Sequence, residues 1–428
     1  MSSGVVRMVL GDGVTVVVDP MADVRSFSLG FFVRSGSGQE PAARQGLSHF
    51  LEHLLFKRTR RRTNVEIARA IDRLGGEVDA FTTREYTGFY GRTLDVRFGE
   101  AFDLLGDVVL SPAFSSADVE VERGVILEEI GEANDNPEDL AHENFIRAFW
   151  KDHPLGAPIL GTAETVRAIR REDLYRHHRS RYGPENLIVA AAGRVRPAEV
   201  LQAVERLFRR RPGASRRPAR RREERAPRPH SHVLVRPRRG LEQAHLCLGM
   251  AAAPHASRRR HAAALLDVVL GGGMSSRLFQ EVRERRGLVY TIGSSLSAYR
   301  LAGYEAISAA CAPKNLRRVL DVTLRELRKL KESGVRPREL AWAKENVTGS
   351  IVLALESTMS RMSSAARQEL YFGRVASPEE WIADVEAVTA DQVAEEAGRV
   401  LDGKALAVSI VGNAGRIALS ARDLAGAL

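Results

Sequence analysis

The order of elements in the first half of this 428-residue chain recurs in the second, and a duplicated chain folds as two related domains. Leu174 to Gly193 runs from a polar helix through Pro184, Glu185 and Asn186 into the apolar strand Leu187 to Ala192, and ends in glycine. Gln392 to Gly412 repeats this with the strand Leu406 to Val411. Their helices begin at similar places, Arg171-Glu172-Asp173 and Thr389-Ala390-Asp391. Each half also opens on β-rich runs, Val14 to Val18 with Phe27 to Val33, and His232 to Val235 with Ala244 to Met250. In the first half, apolar periodicity predicts helices over Gly46 to Phe56 and Asn64 to Leu74 and strands within Val78 to Thr93. Longer helices follow over Phe98 to Val109 and Ser116 to Trp150. The fold class expected is α+β: two homologous domains, each a mostly antiparallel sheet covered by helices.

The boundary between the halves is read from charge. Of the net charge of +10, the stretch Arg209 to Arg228 supplies +8, from ten arginines against Glu223 and Glu224. Pro212, Gly213, Pro218, Pro227 and Pro229 interrupt the region, which has no apolar periodicity to hold it in a core. We therefore expect domains at 1–208 and 231–428 joined by an Arg/Pro-rich linker at 209–230. With the basicity confined to one segment, a nucleic-acid partner is not expected. No apolar run approaches the roughly 20 residues of a membrane-spanning helix, and Met1 to Val18 lacks the order of a signal peptide, so neither membrane insertion nor export is expected. Cys247 and Cys311, the only cysteines, are too few for a disulfide framework and suit a reducing cytoplasm.

Chemistry concentrates in His49-Phe50-Leu51-Glu52-His53. Residues four apart share a helix face, so His49 and His53 can offer two imidazoles to one ion, with Glu52 one turn from His49. The competing reading is an ordinary pair of histidines on a partly apolar helix. A catalytic zinc commonly takes three protein ligands and leaves one position open. Glu129, in the acidic helical stretch Glu120 to Ile130, is the candidate third ligand. Glu122 lies seven residues earlier, about 20° away around the helix, and can share that face as a supporting acid.

At these residues the chain resembles a known family, M16, the inverzincin metallopeptidases of the pitrilysin and mitochondrial-processing-peptidase type. The likeness extends over Gly46 to Lys57, Gly75 to Thr82, Glu122 to Ile130, Pro154 to Gly156 with Ile159 to Thr162, and Leu270 to Leu278. It implies two α/β-roll domains, Zn2+ held by His49, His53 and Glu129, Glu52 as general base, and Glu122 as an additional catalytic glutamate. It further implies that Asp79, Ala80, Phe81 and Thr82 lie on an edge strand to which an extended peptide adds. Many members have Asn where this chain has Asp79. In the second half, which has no such motif, Arg283 and Tyr290 resemble a pair that contacts substrate and stabilises the transition state, with Arg286 a competing choice.

The resemblance implies a zinc endopeptidase acting on peptides or unfolded segments inside a chamber formed by a homodimer. A non-catalytic partner subunit of the same fold is the alternative. No organic cofactor is expected: Gly271-Gly272-Gly273 lacks the Lys-Ser/Thr of a phosphate loop and reads as a tight turn.

Overall fold

The computed structural model describes residues 4–209, 225–401, 405–414 and 419–426. Most of the basic stretch between the halves, 210–224, lies outside the described residues.

The first half supplies strands β1 (Val6–Val9), β2 (Thr15–Pro20), β3 (Ser26–Val33), β4 (Glu77–Thr82), β5 (Thr87–Leu94) and β6 (Leu187–Gly193). They form one sheet in the order β1-β2-β6-β3-β5-β4, antiparallel except for the β2/β6 pair. The second half supplies β7 (His232–Arg236), β8 (Ala244–Ala252), β9 (Thr291–Ala298), β10 (Gly303–Cys311) and β11 (Leu406–Val411), in the order β7-β11-β8-β10-β9. Only β7/β11 is parallel. The second order is the first with β1 removed, so the expected duplication and mostly antiparallel sheets are both present.

The repeated strand-then-glycine signature has a physical cause. Gly193 and Gly412 adopt φ of +117° and +119° as the chain leaves β6 and β11. A Cβ would lie 2.5 Å from the Ser26 carbonyl at the first and 2.6 Å from the Gln243 carbonyl at the second. Both turns need glycine for its left-handed backbone and for the space.

Helices α1 (Leu47–Leu55), α2 (Asn64–Leu74), α3 (Phe98–Leu110), α4 (Ser116–Asp135), α5 (Pro137–Phe149), α6 (Ala163–Ala168), α7 (Arg171–Arg181) and α8 (Pro197–Arg209) belong to the first half. The second half holds α9 (Arg260–Leu270), α10 (Leu316–Ser333), α11 (Pro337–Ala354), α12 (Thr358–Phe372), α13 (Pro378–Glu386), α14 (Ala390–Val400) and α15 (Ala421–Gly426). The helical stretch expected over Ser116 to Trp150 is broken at Asn136, whose side chain accepts the Glu138 and Asp139 N–H groups and starts α5 with Pro137 at its first turn.

Two compact units result, and their limits differ from a simple cut at the linker. One comprises Met1–Ile130, Ala157–Glu224 and Val352–Pro378, the other Gly131–Gly156, Arg225–Ile351 and Glu379–Leu428. Each sheet is therefore covered by a helix from the opposite half of the sequence. In the first unit α12 lies on β2, β3 and β6, where Met362, Ala365 and Ala366 pack against Val17, Phe32, Ile188 and Ala190. Ion pairs to a buried carboxylate fix it there: Glu369, 2% exposed, accepts from Arg7 at 2.7 Å and Arg34 at 3.1 Å. Arg361 donates to both oxygens of Asp19 through Nε and Nη2, one edge of its guanidinium. In the second unit α5 lies on β8 and β11, with Phe145 over Gly249. The cause is the apolar outer face of each sheet, which the helices of its own half leave uncovered.

Candidate metal centre

The centre lies wholly within the first unit and is built on α1, which packs against β4 and α7. Leu47, Phe50, Leu51, Leu54 and Leu55 are buried, leaving His49, Glu52 and His53 for the polar side. The helix begins at Gly46, with φ of +90°, where a Cβ would lie 2.6 Å from the Leu160 carbonyl. Gly46, at the cap position, has no side chain to close this end. Instead the buried Glu40 carboxylate accepts the Gly46 N–H at 2.7 Å and the Ser48 N–H at 2.5 Å, satisfying donors that a helix start leaves open. Burial pushes the Glu40 carboxyl up to about 7 against the opposing effect of these hydrogen bonds.

His49 and His53 stand with ring centroids 4.6 Å apart. The Nε2 atoms of both face Glu129 on α4, His49 at 3.6 Å from one carboxylate oxygen and His53 at 3.6 Å from the other. One ligand atom from each of the three lies within 4.8 Å of the rest, the sole such group among the described residues. On a tetrahedral zinc with bonds of about 2.1 Å, neighbouring ligand atoms stand about 3.4 Å apart. The two 3.6 Å separations, each to a different Glu129 oxygen, are longer than a hydrogen bond and close to that spacing. Burial, together with the neighbouring His53, brings His49 down to about 3, so its imidazole is neutral, the form that ligates. His49 Nδ1 is buried without a hydrogen-bond partner. Two imidazole nitrogens and a carboxylate are a zinc donor set, and the residues fit the ion.

Glu122 is 2% exposed, with one oxygen 3.2 Å from His53 Nδ1 and the other 2.7 Å from Lys57 Nζ. Its contact is thus with the ring nitrogen opposite the one that faces Glu129. That is the arrangement by which a carboxylate fixes the orientation and tautomer of a ligating histidine. Glu52 is not one of the three donors; burial raises its carboxyl, partly offset by a hydrogen bond from the Thr82 hydroxyl and by nearby His53.

Among the described residues β4 is an edge strand, bonded only to β5. Its side chains alternate: Val78 and Ala80 pack into the core beneath α1, while Phe81 joins Phe32, Tyr86 and Tyr90 on the other face. The Thr82 hydroxyl is engaged with Glu52, and the Asp79 carboxylate accepts its neighbour Ala80's N–H at 2.8 Å. Of the four residues expected to meet substrate, Phe81 and Thr82 thus have their side chains occupied inside the unit.

Arg283 and Tyr290 lie together in the second unit. The Arg283 guanidinium stands 5.3 Å from the Tyr290 ring centroid and 4.6 Å from that of Phe279, on the π-helical turn Phe279–Glu284. Tyr290 is 76% exposed, an open phenol and not a core residue. Arg286 is held by Glu281 at 2.6 Å, which leaves Arg283 the better match to the expected pair. Gly271 ends α9 and closes against the Ser294 backbone within β9. Sequence reading missed Glu40 and assigned no role to Lys57. An uncapped start at Gly46 was the available signal for the first; nothing in the spacing pointed to the second.

A two-domain α+β fold with a histidine pair, a distant glutamate and a separate carboxylate on one helix defines a metallopeptidase class. The profile described as insulinase (peptidase family M16) matches residues 15–163, and that of the peptidase M16 inactive domain matches 168–347. An uncharacterized zinc protease of Mycobacterium leprae is 40% identical over 94% of this chain and 90% of its own length. One from Streptomyces coelicolor is 39% identical over 95% and 89%, and one from Bacillus subtilis 35% over 90% and 93%. In fold, the chain resembles the M16 inactive-domain structure from Pseudomonas fluorescens, with a TM-score of 0.87 at 21% identity over 96% of this chain and 98% of that one. A Helicobacter pylori protease structure gives 0.87 at 20% identity over 96% and 99%. The chain belongs to peptidase family M16.

Proposed function

We propose that the protein is a zinc-dependent endopeptidase that hydrolyses extended peptides or unfolded segments. The observation that carries this is the convergence of His49, His53 and Glu129, one ligand atom from each within 4.8 Å of the others, with the Glu52 carboxylate bonded to Thr82 and outside the donor set. Zinc relatives covering nearly the full chain support the choice of metal. Held by His49, His53 and Glu129, zinc would supply Lewis-acid activation of a peptide carbonyl and of water at neutral pH. Glu52, its carboxyl raised by burial, is the group that would take a proton from an attacking water and return it to the departing amine. The free edge of β4 accepts the peptide by main-chain hydrogen bonds, and Glu122 keeps His53 oriented.

We assign the exposed Arg283/Tyr290 pair to stabilising charge that develops on substrate, supplied by a second copy of the chain in a homodimer that encloses the peptide. Sedimentation at assay concentration checks this: a fully active monomer contradicts it. The non-catalytic alternative is disfavoured because every donor and the base are present. Purified protein should contain one zinc per chain and cleave a mixture of unstructured peptides. Chelation should stop cleavage and added zinc restore it. Hydrolysis that ignores the chelator would refute the reading.

A further inference from the structure

The one polar side chain on β4 that faces α1 is not directed at the open edge where a peptide adds. Thr82 stands at the C-terminal end of the strand, opposite Thr87 in the β4/β5 register. It shares the α1-facing side with Val78 and Ala80, and its hydroxyl donates to Glu52 Oε2. Among the described residues it is the sole hydrogen-bond donor to that carboxylate.

The backbone presenting this hydroxyl is held from several directions. The Thr83 carbonyl accepts the Ser37 N–H at 3.0 Å, the Arg84 carbonyl accepts the Gly38 N–H at 2.7 Å, and the Thr83 hydroxyl donates to the Tyr86 carbonyl at 2.8 Å. Across the pair, Thr87 Oγ1 donates to the Ser35 carbonyl at 2.9 Å. A β-branched residue on so fixed a strand end has little χ1 freedom. Its hydroxyl is therefore a rigid reference point for a carboxylate whose own terminal torsion is broad and soft.

We infer that Thr82 is a positioning residue for the Glu52 base, fixing the carboxylate plane through Oε2 so that Oε1 is the oxygen left to handle protons. Because Thr82 belongs to the edge strand itself, the base is registered to the same backbone that aligns the peptide. A main-chain peptide contact at β4 uses no side-chain hydroxyl, so the role separates cleanly from substrate binding. Misaligning a proton-transfer group by a fraction of an ångström lowers turnover without weakening ground-state binding.

The inference rests on the peptidase reading, and the experiment distinguishes the two. Steady-state hydrolysis of an unstructured peptide is compared for the zinc-loaded parent, the near-isosteric Thr82→Val and the conservative Thr82→Ser, with zinc affinity measured separately by competition against a chromophoric chelator. The expected result is a kcat lowered about 10- to 100-fold in Thr82→Val, KM within about twofold, zinc affinity within about threefold, and kcat within about threefold of the parent in Thr82→Ser. A kcat unchanged in Thr82→Val, or a raised KM with kcat intact, overturns the positioning role and leaves the peptidase reading standing. A parent that is zinc-loaded and inert overturns both.

Discussion

Glu122 offers the sharpest quantitative test of how the metal centre is held. Both oxygens of this 2%-exposed carboxylate are engaged, one with His53 Nδ1 at 3.2 Å and one with Lys57 Nζ at 2.7 Å. Glu122→Gln preserves the shape but forces a choice. With its carbonyl toward Lys57, the amide donates to Nδ1 and drives the ring hydrogen onto Nε2, the nitrogen facing Glu129. With its carbonyl toward His53, the amide points two hydrogens at an ammonium. Either way a ligand is held less well, and loss of such an outer carboxylate typically costs 10- to 100-fold in metal affinity, about 1.4–2.7 kcal/mol. Competition with a chromophoric chelator at fixed pH measures this directly, and Lys57→Met should shift affinity in the same direction. Parent-level zinc affinity in Glu122→Gln would refute the reasoning. If that result came with lost turnover, Glu122 would be acting on substrate and not through His53.

Three further outcomes follow from the packing and electrostatics. A Cβ at Gly249 falls 2.1 Å from the Phe145 ring, so Gly249→Ala should cost about 1–3 kcal/mol in urea unfolding; the cost should shrink once Phe145→Ala is present, and equal costs in both backgrounds would contradict the packing. Residues 1–208 expressed alone lack α12 and leave Phe32, Ile188 and Ala190 uncovered, so they should not unfold cooperatively as a monomer; a cooperative transition by circular dichroism would disprove this. Glu40 titrates near 7 folded against 4.5 unfolded, so the folded state holds the proton more tightly and stability falls as pH rises across that window. The fall should be on the order of 3 kcal/mol and absent in Glu40→Gln; parallel pH profiles for the two in metal-free buffer would argue against it.

Much of this architecture is written locally in the chain. The strand-then-glycine endings at Gly193 and Gly412 are visible because a left-handed turn restricts residue choice. The pairing of His49, His53 and Glu129 is legible from helical spacing and family likeness, and the three donors do converge. The exchange of α5 and α12 between units is not legible: an amphipathic helix shows which face it buries, not which sheet receives it. The Glu40 cap and the Lys57–Glu122 contact are likewise tertiary. Glu122 lies 65 residues beyond Lys57, and no periodicity connects them. Thr82 was readable as part of a substrate strand, but its partner Glu52 became evident only once α1 was set against β4.

The central claim, hydrolysis by a zinc centre with Glu52 as base, is tested most directly by measuring metal content and peptide turnover in the parent and in Glu52→Gln. Glu52 is not one of the three donors, so the substitution should retain one zinc per chain and parent-like peptide binding while lowering kcat by at least about a hundredfold. Full turnover in zinc-replete Glu52→Gln would contradict the account.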